Sequence, residues 1–164
     1  MHRSTSPTDT FRGYAYVTAQ AVILLAIVFW RTPADWDQPG WVTTVAYAGD
    51  GISAVWFLAA LVSLGRSLSA VPLPLQGGRL VTTGLYRCCR HPIYTGVIGL
   101  AFSSAVVVRS SWTLALAVAL LVVLSAKARF EEGQLLDAYP DYVTYMLATP
   151  RFLPTGCLAR RWLR

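Results

Sequence analysis

Charged residues are scarce in this 164-residue sequence. They make up 13% of the chain, roughly half of the ~25% that is usual in soluble domains, whereas hydrophobic residues make up 55%. A soluble domain of 18.0 kDa has too little interior to bury this much apolar surface. The same composition excludes a disordered chain, which would need low hydrophobicity and many charges. The sequence is therefore typical of a multi-pass membrane protein.

Cysteine and histidine are also scarce. Three cysteines cannot pair evenly, and their low density excludes a disulfide-dense scaffold. The two histidines and three cysteines show no ligand spacing, so we expect no metal site. The net charge of +6 does not indicate nucleic-acid binding, because the basic residues flank apolar runs instead of forming one stripe. The lipid bilayer is the expected partner.

Four apolar runs can be separated along the chain. The first contains a single strongly polar residue, Gln20, and a helix of its length would measure about 25 Å, close to the hydrocarbon thickness of a bilayer. A signal peptide is the alternative, but no convincing small-residue cleavage site follows, so we predict a retained span. The four runs cover residues 14–30, 41–64, 93–108 and 112–126.

The connections between these runs predict the architecture. Arg109-Ser110-Ser111 is a tight turn, so the third and fourth helices should form an antiparallel hairpin. Pro92 suits the first position of the third helix, because proline has no N–H to lose there. Pro140 should end the fourth helix, which is then longer than the bilayer requires. We therefore expect an all-α transmembrane bundle of four spans with a cytoplasmic C-terminal helical extension.

Lysine and arginine are distributed unevenly across these spans. Two of them, Arg31 and Arg109, fall on one side, and twelve fall on the side that holds both termini. Because positive residues favour the cytoplasmic side, we expect both termini to be cytoplasmic. The twelve residues are Arg3, Arg12, Arg66, Arg79, Arg87, Arg90, Lys127, Arg129, Arg151, Arg160, Arg161 and Arg164.

The chain divides into four predicted parts. A cytoplasmic segment at 1–13 precedes two spans within 14–64, and a basic tail occupies 155–164. Between them, residues 65–154 contain a long polar connection, the helical hairpin and its extension. Long connections in compact proteins are usually functional or disordered. We expect the chemistry to lie in this third part.

A basic cluster comes directly before the predicted third helix. Arg87, Arg90 and His91 precede Pro92, whose helix begins with unpaired backbone N–H groups. Amides at a helix N-terminus together with guanidinium groups form a site for an anion such as a carboxylate. The alternative, which charge alone would favour, is that Arg87 and Arg90 contact lipid phosphates.

A second cluster lies on the extension of the fourth helix. Glu131 and Glu132 are adjacent, and Lys127 lies four residues before Glu131 on the same helix face. A solvated helix end with a weak ion pair is the alternative for these residues alone. The hairpin, however, should return Glu131 to the membrane face that carries Pro92. One site would then combine an anion-binding end with two carboxylates, which suits a zwitterion, and four tyrosines add aromatic surface: Tyr86, Tyr94, Tyr142 and Tyr145.

These segments resemble a known family. LVTTGLYRCCRHPIYTG (80–96), followed by EEGQLLDAYPDYVTYM (131–146) and RFLP (151–154), is similar to the isoprenylcysteine carboxyl methyltransferases and their phospholipid N-methyltransferase relatives. The resemblance covers roughly residues 66–154. It implies a membrane methyltransferase that uses S-adenosyl-L-methionine and a lipophilic acceptor carrying a carboxylate, thiol or amine. The implied cofactor contacts are Arg79, Leu80, Val81, Tyr86, His91, Pro92, Tyr94, Glu131 and Glu132.

The charges in the motif indicate roles for individual residues. Arg90 and the amides after Pro92 would bind the methionine carboxylate, Glu131 would bind the ammonium, and Leu80 and Val81 would flank the adenosine. Family members that methylate prenylcysteine carboxylates resemble this chain but have Arg where Lys127 stands. Lysine can still neutralise an acceptor carboxylate, as a point charge without a bidentate fork. Lys127 and Glu131 are therefore the catalytic candidates, and Glu131 or Glu132 could accept a proton from an amine acceptor.

Two alternatives stay open. Membrane sterol-type reductases resemble the chain around RHP-x-Y and bind a nicotinamide cofactor, but they usually have Asn at the position of Ile93 and lack the paired acids. A non-catalytic small membrane protein would not need the ordered polar connection. Binding of S-adenosylmethionine or of NADPH would distinguish the first alternative from a methyltransferase.

Overall fold

The structure, a computed structural model, describes residues 7–30, 32–65 and 80–155. All regular secondary structure within these residues is helical. The elements are α1 (Pro7–Phe29), α2 (Gly40–Leu64), a 3₁₀ turn (Gly84–Arg87), α3 (Pro92–Val108), α4 (Ser111–Ala138) and α5 (Tyr142–Ala148).

The helix lengths bear on the predicted spans. Helices α1, α2 and α4 are long and apolar enough to cross a membrane, whereas α3 has 17 residues and is a shorter apolar helix. The predicted all-α fold is thus confirmed for the described residues. The count of four spans, and the cytoplasmic position of the extension, stay predictions.

Helix α4 lies between α1 and α3. The Tyr16 ring of α1 is 5.9 Å from the Phe130 ring of α4, and the Trp30 ring is 5.8 Å from that of Trp112. Residue numbers therefore rise along α1 as they fall along α4, so the two helices are antiparallel. Buried side chains of α3 and α4 fill the centre of the bundle, and Ile23, Leu24 and Ile27 of α1 pack against them.

Helix α3 also packs closely against α2. A Cβ atom added at Gly96 would lie 2.9 Å from the Phe57 Cα, which is closer than real Cβ contacts allow. The Trp56 indole Nε1 donates a hydrogen bond of 3.0 Å to the Pro92 carbonyl at the start of α3. Glycine at position 96 thus lets the two backbones approach, as small residues do between membrane helices.

The turn between α3 and α4 is as tight as the sequence predicts. Arg109 adopts a left-handed conformation with φ of 53°, and the Ser110 hydroxyl accepts a hydrogen bond from the Thr113 amide at the start of α4. The Asp35 carboxylate also accepts from the Ser111 amide, at 3.0 Å to each oxygen. The antiparallel hairpin therefore returns the end of α4 to the start of α3.

Large apolar side chains cover the outer surface of the bundle. Val62 of α2 is 81% exposed, and Val22 of α1 and Val122 of α4 are also mainly exposed. A soluble protein would bury such side chains, whereas lipid tails solvate them well. The long apolar helices together with this surface fit an integral membrane protein.

Candidate functional site

The start of α3 is fixed by the segment that follows α5. Pro92 occupies the first position of α3, as predicted, and His91 is the N-cap residue without a side-chain capping bond. The His91 amide donates to the Arg151 carbonyl at 3.0 Å, and the Arg90 amide donates to the Pro150 carbonyl at 2.9 Å. The chain after α5 is therefore held against the α3 N-terminus.

The hairpin brings both acids of α4 to His91. The His91 Nδ1 atom lies 3.5 Å from Glu131 Oε2, and Nε2 lies 3.2 Å from Glu132 Oε1. The imidazole is buried, with 8% of the side chain exposed. The two sequence clusters thus form one site around this ring.

Glu132 is the centre of a buried ion cluster. Its carboxylate accepts from Arg90 Nε at 3.0 Å and from Arg151 Nη2 at 2.6 Å, and its side chain is 5% exposed. The hydrogen bond from Arg151 to Glu132 raises the pKa of the Arg151 guanidinium. Arg151 was not among the predicted site residues, although it begins the RFLP segment of the family pattern.

Arg90 has several protein partners besides Glu132. Its Nη1 atom donates to the carbonyls of Met146, at 2.5 Å, and Thr149, at 2.7 Å. These carbonyls belong to the end of α5 and the residue that follows it. The guanidinium therefore joins α3, α4 and α5.

Glu131 is more accessible than Glu132. Its side chain is 18% exposed, and its Oε1 atom accepts a hydrogen bond of 2.5 Å from the Tyr94 hydroxyl. The Tyr94 ring is stacked on the His91 ring with centroids 5.2 Å apart. Tyr94 and His91 thus hold a carboxylate that can still receive a cationic group.

Lys127 lies on the α1 side of the same site. It is 5% exposed, and its Nζ atom donates to the Gln20 side-chain oxygen at 3.0 Å. The same atom is 5.2 Å from the centroid of the Tyr94 ring, within the range of a cation–π contact. Gln20 is therefore a neighbour of the site, although its sequence position marks it only as the one strongly polar residue of its span.

The other three predicted tyrosines, Tyr86, Tyr142 and Tyr145, form contacts with one another. The Tyr145 hydroxyl donates to the Tyr86 carbonyl at 2.5 Å, and the Tyr142 and Tyr145 rings meet edge-on at 5.8 Å. Burial raises the pKa values of Tyr86, Tyr142 and Tyr145, so these phenols stay protonated.

Three further residues named from the sequence, Leu80, Val81 and Arg87, lie between α2 and α3. Leu80 and Val81 are half-buried and precede the 3₁₀ turn, and Arg87 is exposed. Arg79 lies outside the described residues. The Thr149 hydroxyl is buried and has no hydrogen-bond partner among the described residues. In the part of the chain that the structure describes, no group of three histidine, cysteine, aspartate or glutamate residues could hold a metal ion.

Comparison with known proteins identifies the family. A family model described as phospholipid methyltransferase matches residues 40–141, which run from the start of α2 through the end of α4. The chain belongs to the phospholipid methyltransferase family. This finding confirms the family relationship that the sequence motifs predict, and it extends the resemblance to α2.

Two curated proteins are similar to this phospholipid methyltransferase family member. The cobalt-zinc-cadmium resistance protein CzcN of Cupriavidus metallidurans is 33% identical over 120 residues, which cover 68% of this chain and 56% of CzcN. The nickel-cobalt-cadmium resistance protein NccN of Alcaligenes xylosoxydans xylosoxydans is 31% identical over 170 residues, which cover 94% of this chain and 72% of NccN. The match to CzcN thus spans just over half the length of that relative.

Proposed function

We propose that this protein is an integral membrane methyltransferase that uses S-adenosylmethionine and methylates a lipophilic acceptor at the cytoplasmic membrane face. The juxtaposition of the α3 N-terminus and Glu131 around His91 carries this proposal. Family membership supports the reaction class. The clustering of basic residues on the side of this site supports the cytoplasmic face.

The residues of the site fit the proposed cofactor. S-adenosylmethionine carries a carboxylate, an ammonium, a sulfonium and an adenine ring. The α3 N-terminus has no side-chain cap and suits the carboxylate, and the partly exposed Glu131 suits the ammonium. Leu80 and Val81 offer apolar surface to the adenosine. In this proposal Arg90 acts through Glu132, because its Nε and Nη1 atoms donate to protein acceptors.

The protein contributes positioning and charge to the reaction. When bound, the cofactor supplies a methyl group on a sulfonium, which the acceptor atom takes as the thioether leaves. His91 and Tyr94 orient Glu131, and Lys127 faces the acceptor side. Holding donor and acceptor in line supplies most of the rate enhancement in such displacements. An amine acceptor would lose its proton to Glu131, whereas a carboxylate or thiolate needs no base.

A lipophilic acceptor is supported by the surroundings of the site. Exposed apolar side chains cover α1 and α4, the two helices that join at Lys127. An acceptor with an acyl or prenyl chain can reach this boundary from the bilayer without crossing water. The family membership favours methyl transfer over both alternatives, a nicotinamide-dependent reductase and a non-catalytic membrane protein.

Cofactor binding tests the proposal directly. We expect purified protein in detergent to bind S-adenosylhomocysteine in a titration calorimeter, and Glu131→Gln to weaken binding about tenfold or more, because a charge-assisted hydrogen bond contributes about 1.5–3 kcal/mol. Asp137→Asn, at an exposed acid near the end of the same helix, is the matched control and should bind as the wild type does. Absence of binding by the wild type, or equal binding by Glu131→Gln, would refute the proposal.

The named relatives suggest a phenotype to measure in cells. CzcN and NccN are named for resistance to cobalt, zinc, cadmium and nickel. We propose that methyl transfer by this chain contributes to tolerance of such metals. Deletion of its gene should lower growth in cobalt, and the wild-type gene should restore growth where Glu131→Gln does not. Equal restoration by both genes would contradict this link.

A further inference from the structure

The ammonium of Lys127 is buried, and its hydrogen-bond and cation–π partners among the described residues are neutral groups. The residue is 5% exposed, and its Nζ atom has the Gln20 oxygen at 3.0 Å and the Tyr94 ring centroid at 5.2 Å. An ammonium has three N–H donors. One donates to Gln20, and the aromatic face of Tyr94 stabilises the charge without a hydrogen-bonding oxygen.

No ion pair to Lys127 is present among the described residues. Its neighbour on the helix, Glu131, receives the Tyr94 hydroxyl at 2.5 Å and lies 3.5 Å from His91. The next acid, Glu132, is surrounded by Arg90, His91 and Arg151. Buried charges in proteins are normally paired with an opposite charge. Lys127 is thus a desolvated cation that Glu131 attracts only through space, because both neighbouring carboxylates contact other residues.

Gln20 comes from a part of the chain that is remote from the sequence motifs. It is the one strongly polar residue of the run 14–30, and it is half-buried where α1 packs on α4. A glutamine amide is costly in a lipid-facing helix unless it forms hydrogen bonds. Its bond to Lys127 spans 107 positions of sequence and fixes the ammonium toward α1.

We propose that Gln20 is a positioning residue of the acceptor site: it holds the Lys127 ammonium at the boundary of α1 and α4, where the ammonium binds an anionic group, a carboxylate or a phosphate, of the lipophilic acceptor. This inference rests on the proposed function and extends it from the cofactor to the acceptor. The acceptor chain lies along the apolar surface of α1 and α4. Helix α1 is then part of the active site.

The test compares anionic and neutral probes of equal chain length. Dodecanoate, dodecyl phosphate and 1-dodecanol compete with radiolabelled dodecanoate for the detergent-solubilised protein. We expect the wild type to bind at least one anionic probe about tenfold or more tighter than dodecanol, as one charge-assisted hydrogen bond predicts. Preference for dodecanoate assigns the site to carboxylates, and preference for dodecyl phosphate assigns it to phosphates.

Substitutions of Gln20 then test its role. Gln20→Glu supplies an internal anion to Lys127 and should abolish the preference for anionic probes, and Gln20→Leu should reduce it. Thr18→Leu, at an exposed position of the same helix, should keep it. All three variants should bind S-adenosylhomocysteine as the wild type does, which separates positioning of Lys127 from a general loss of structure.

The outcomes separate this inference from the proposed function. A wild type that binds dodecanol as tightly as both anionic probes overturns the inference, whatever its affinity for S-adenosylhomocysteine. So does a Gln20→Glu variant that keeps both the cofactor affinity and the anion preference of the wild type. If the anion preference depends on Gln20 but S-adenosylhomocysteine does not bind, the acceptor site stands and the proposed methyl transfer fails.

Discussion

Individual residues of the site divide into those with local and those with remote partners. Pro92 as the first residue of α3 could be predicted, because the preference of proline for that position is a local property. The partners of Arg90 could not, since the Met146 and Thr149 carbonyls lie 56 and 59 positions away in sequence. The sequence thus predicts an anion site at Arg90 but not the protein groups that its guanidinium contacts, which are Glu132 and these two carbonyls.

Arg151 should contribute measurably to stability. Arg151→Met removes the 2.6 Å bond to buried Glu132 and leaves its Oε2 atom with one cation fewer. We expect the free energy of unfolding to fall by about 1.5 kcal/mol or more, which is typical of a lost hydrogen bond to a charged group. Arg129→Met, at an exposed position of α4, is the control. Denaturant unfolding in detergent measures both, and equal losses would show that the Glu132 contact is not the cause.

At the scale of elements, the apolar parts of the long helices were predictable. The start of α1 at Pro7, seven residues before the predicted run 14–30, and the short helices were not. Apolar runs and the prolines at 92 and 140 predict α3 and α4 closely, because these signals lie within the helices or within two residues of their ends. Helix α5 has seven residues in a polar, aromatic segment, which carries no strong helical signal. Helix α5 is stabilised by contacts with distant parts of the chain: the Tyr145 hydroxyl donates to the Tyr86 carbonyl, and the Met146 carbonyl accepts from Arg90.

The contact between α2 and α3 predicts a strong effect at Gly96. Gly96→Ala places a methyl group against the Phe57 backbone, so the helices must separate. Overpacking of this kind costs about 1–3 kcal/mol. Gly51→Ala, where a Cβ would meet nothing within 4 Å, should be neutral or stabilising. Thermal unfolding of the two variants tests this prediction. Similar unfolding temperatures would contradict the close approach of the α2 and α3 backbones at Gly96.

The docking of α5 should depend on pH. Burial raises the pKa of Tyr145 above its ordinary value of about 10. The neutral phenol therefore contributes fully to the stability of the folded state below about pH 10, and this contribution is lost as the pH rises further. Unfolding temperatures measured at about pH 8 and about pH 11 should therefore differ less for Tyr145→Phe than for the wild type. Tyr47→Phe, at an exposed tyrosine of α2, should behave as the wild type does. An unchanged pH dependence in Tyr145→Phe would contradict this assignment.

At the scale of the whole molecule, the order of the helices determines which segments of the chain share an end of the bundle. The start of α3 and the end of α4 lie together, and the residues between α1 and α2 lie beside the opposite turn, where Asp35 binds the Ser111 amide. Twelve of fourteen basic residues belong to the predicted cytoplasmic side. The sequence alone predicts this orientation, because the distribution of lysine and arginine between the two sides of a membrane depends on the bilayer and not on helix packing.

Accessibility labelling can test that orientation. A cysteine at Asp137 should react with an impermeant maleimide only in inside-out vesicles, and a cysteine at Asp37 only in intact spheroplasts. Both aspartates are exposed and at opposite ends of the bundle, so each serves as the control for the other. Unsubstituted protein gives the background from the native cysteines. Labelling of both positions from one side would overturn the predicted topology.

The pairing of α1 with α4 has a consequence for biosynthesis. Helix α1 leaves the ribosome before α4, because Lys127, the partner of Gln20, is translated 107 residues later. Until then the amide of Gln20 stays in lipid or at the translocon without that bond, and α1 lacks its packing against α4. Insertion of α4 therefore completes the packing of α1, so a nascent chain arrested before Lys127 would expose α1 to membrane quality-control proteases.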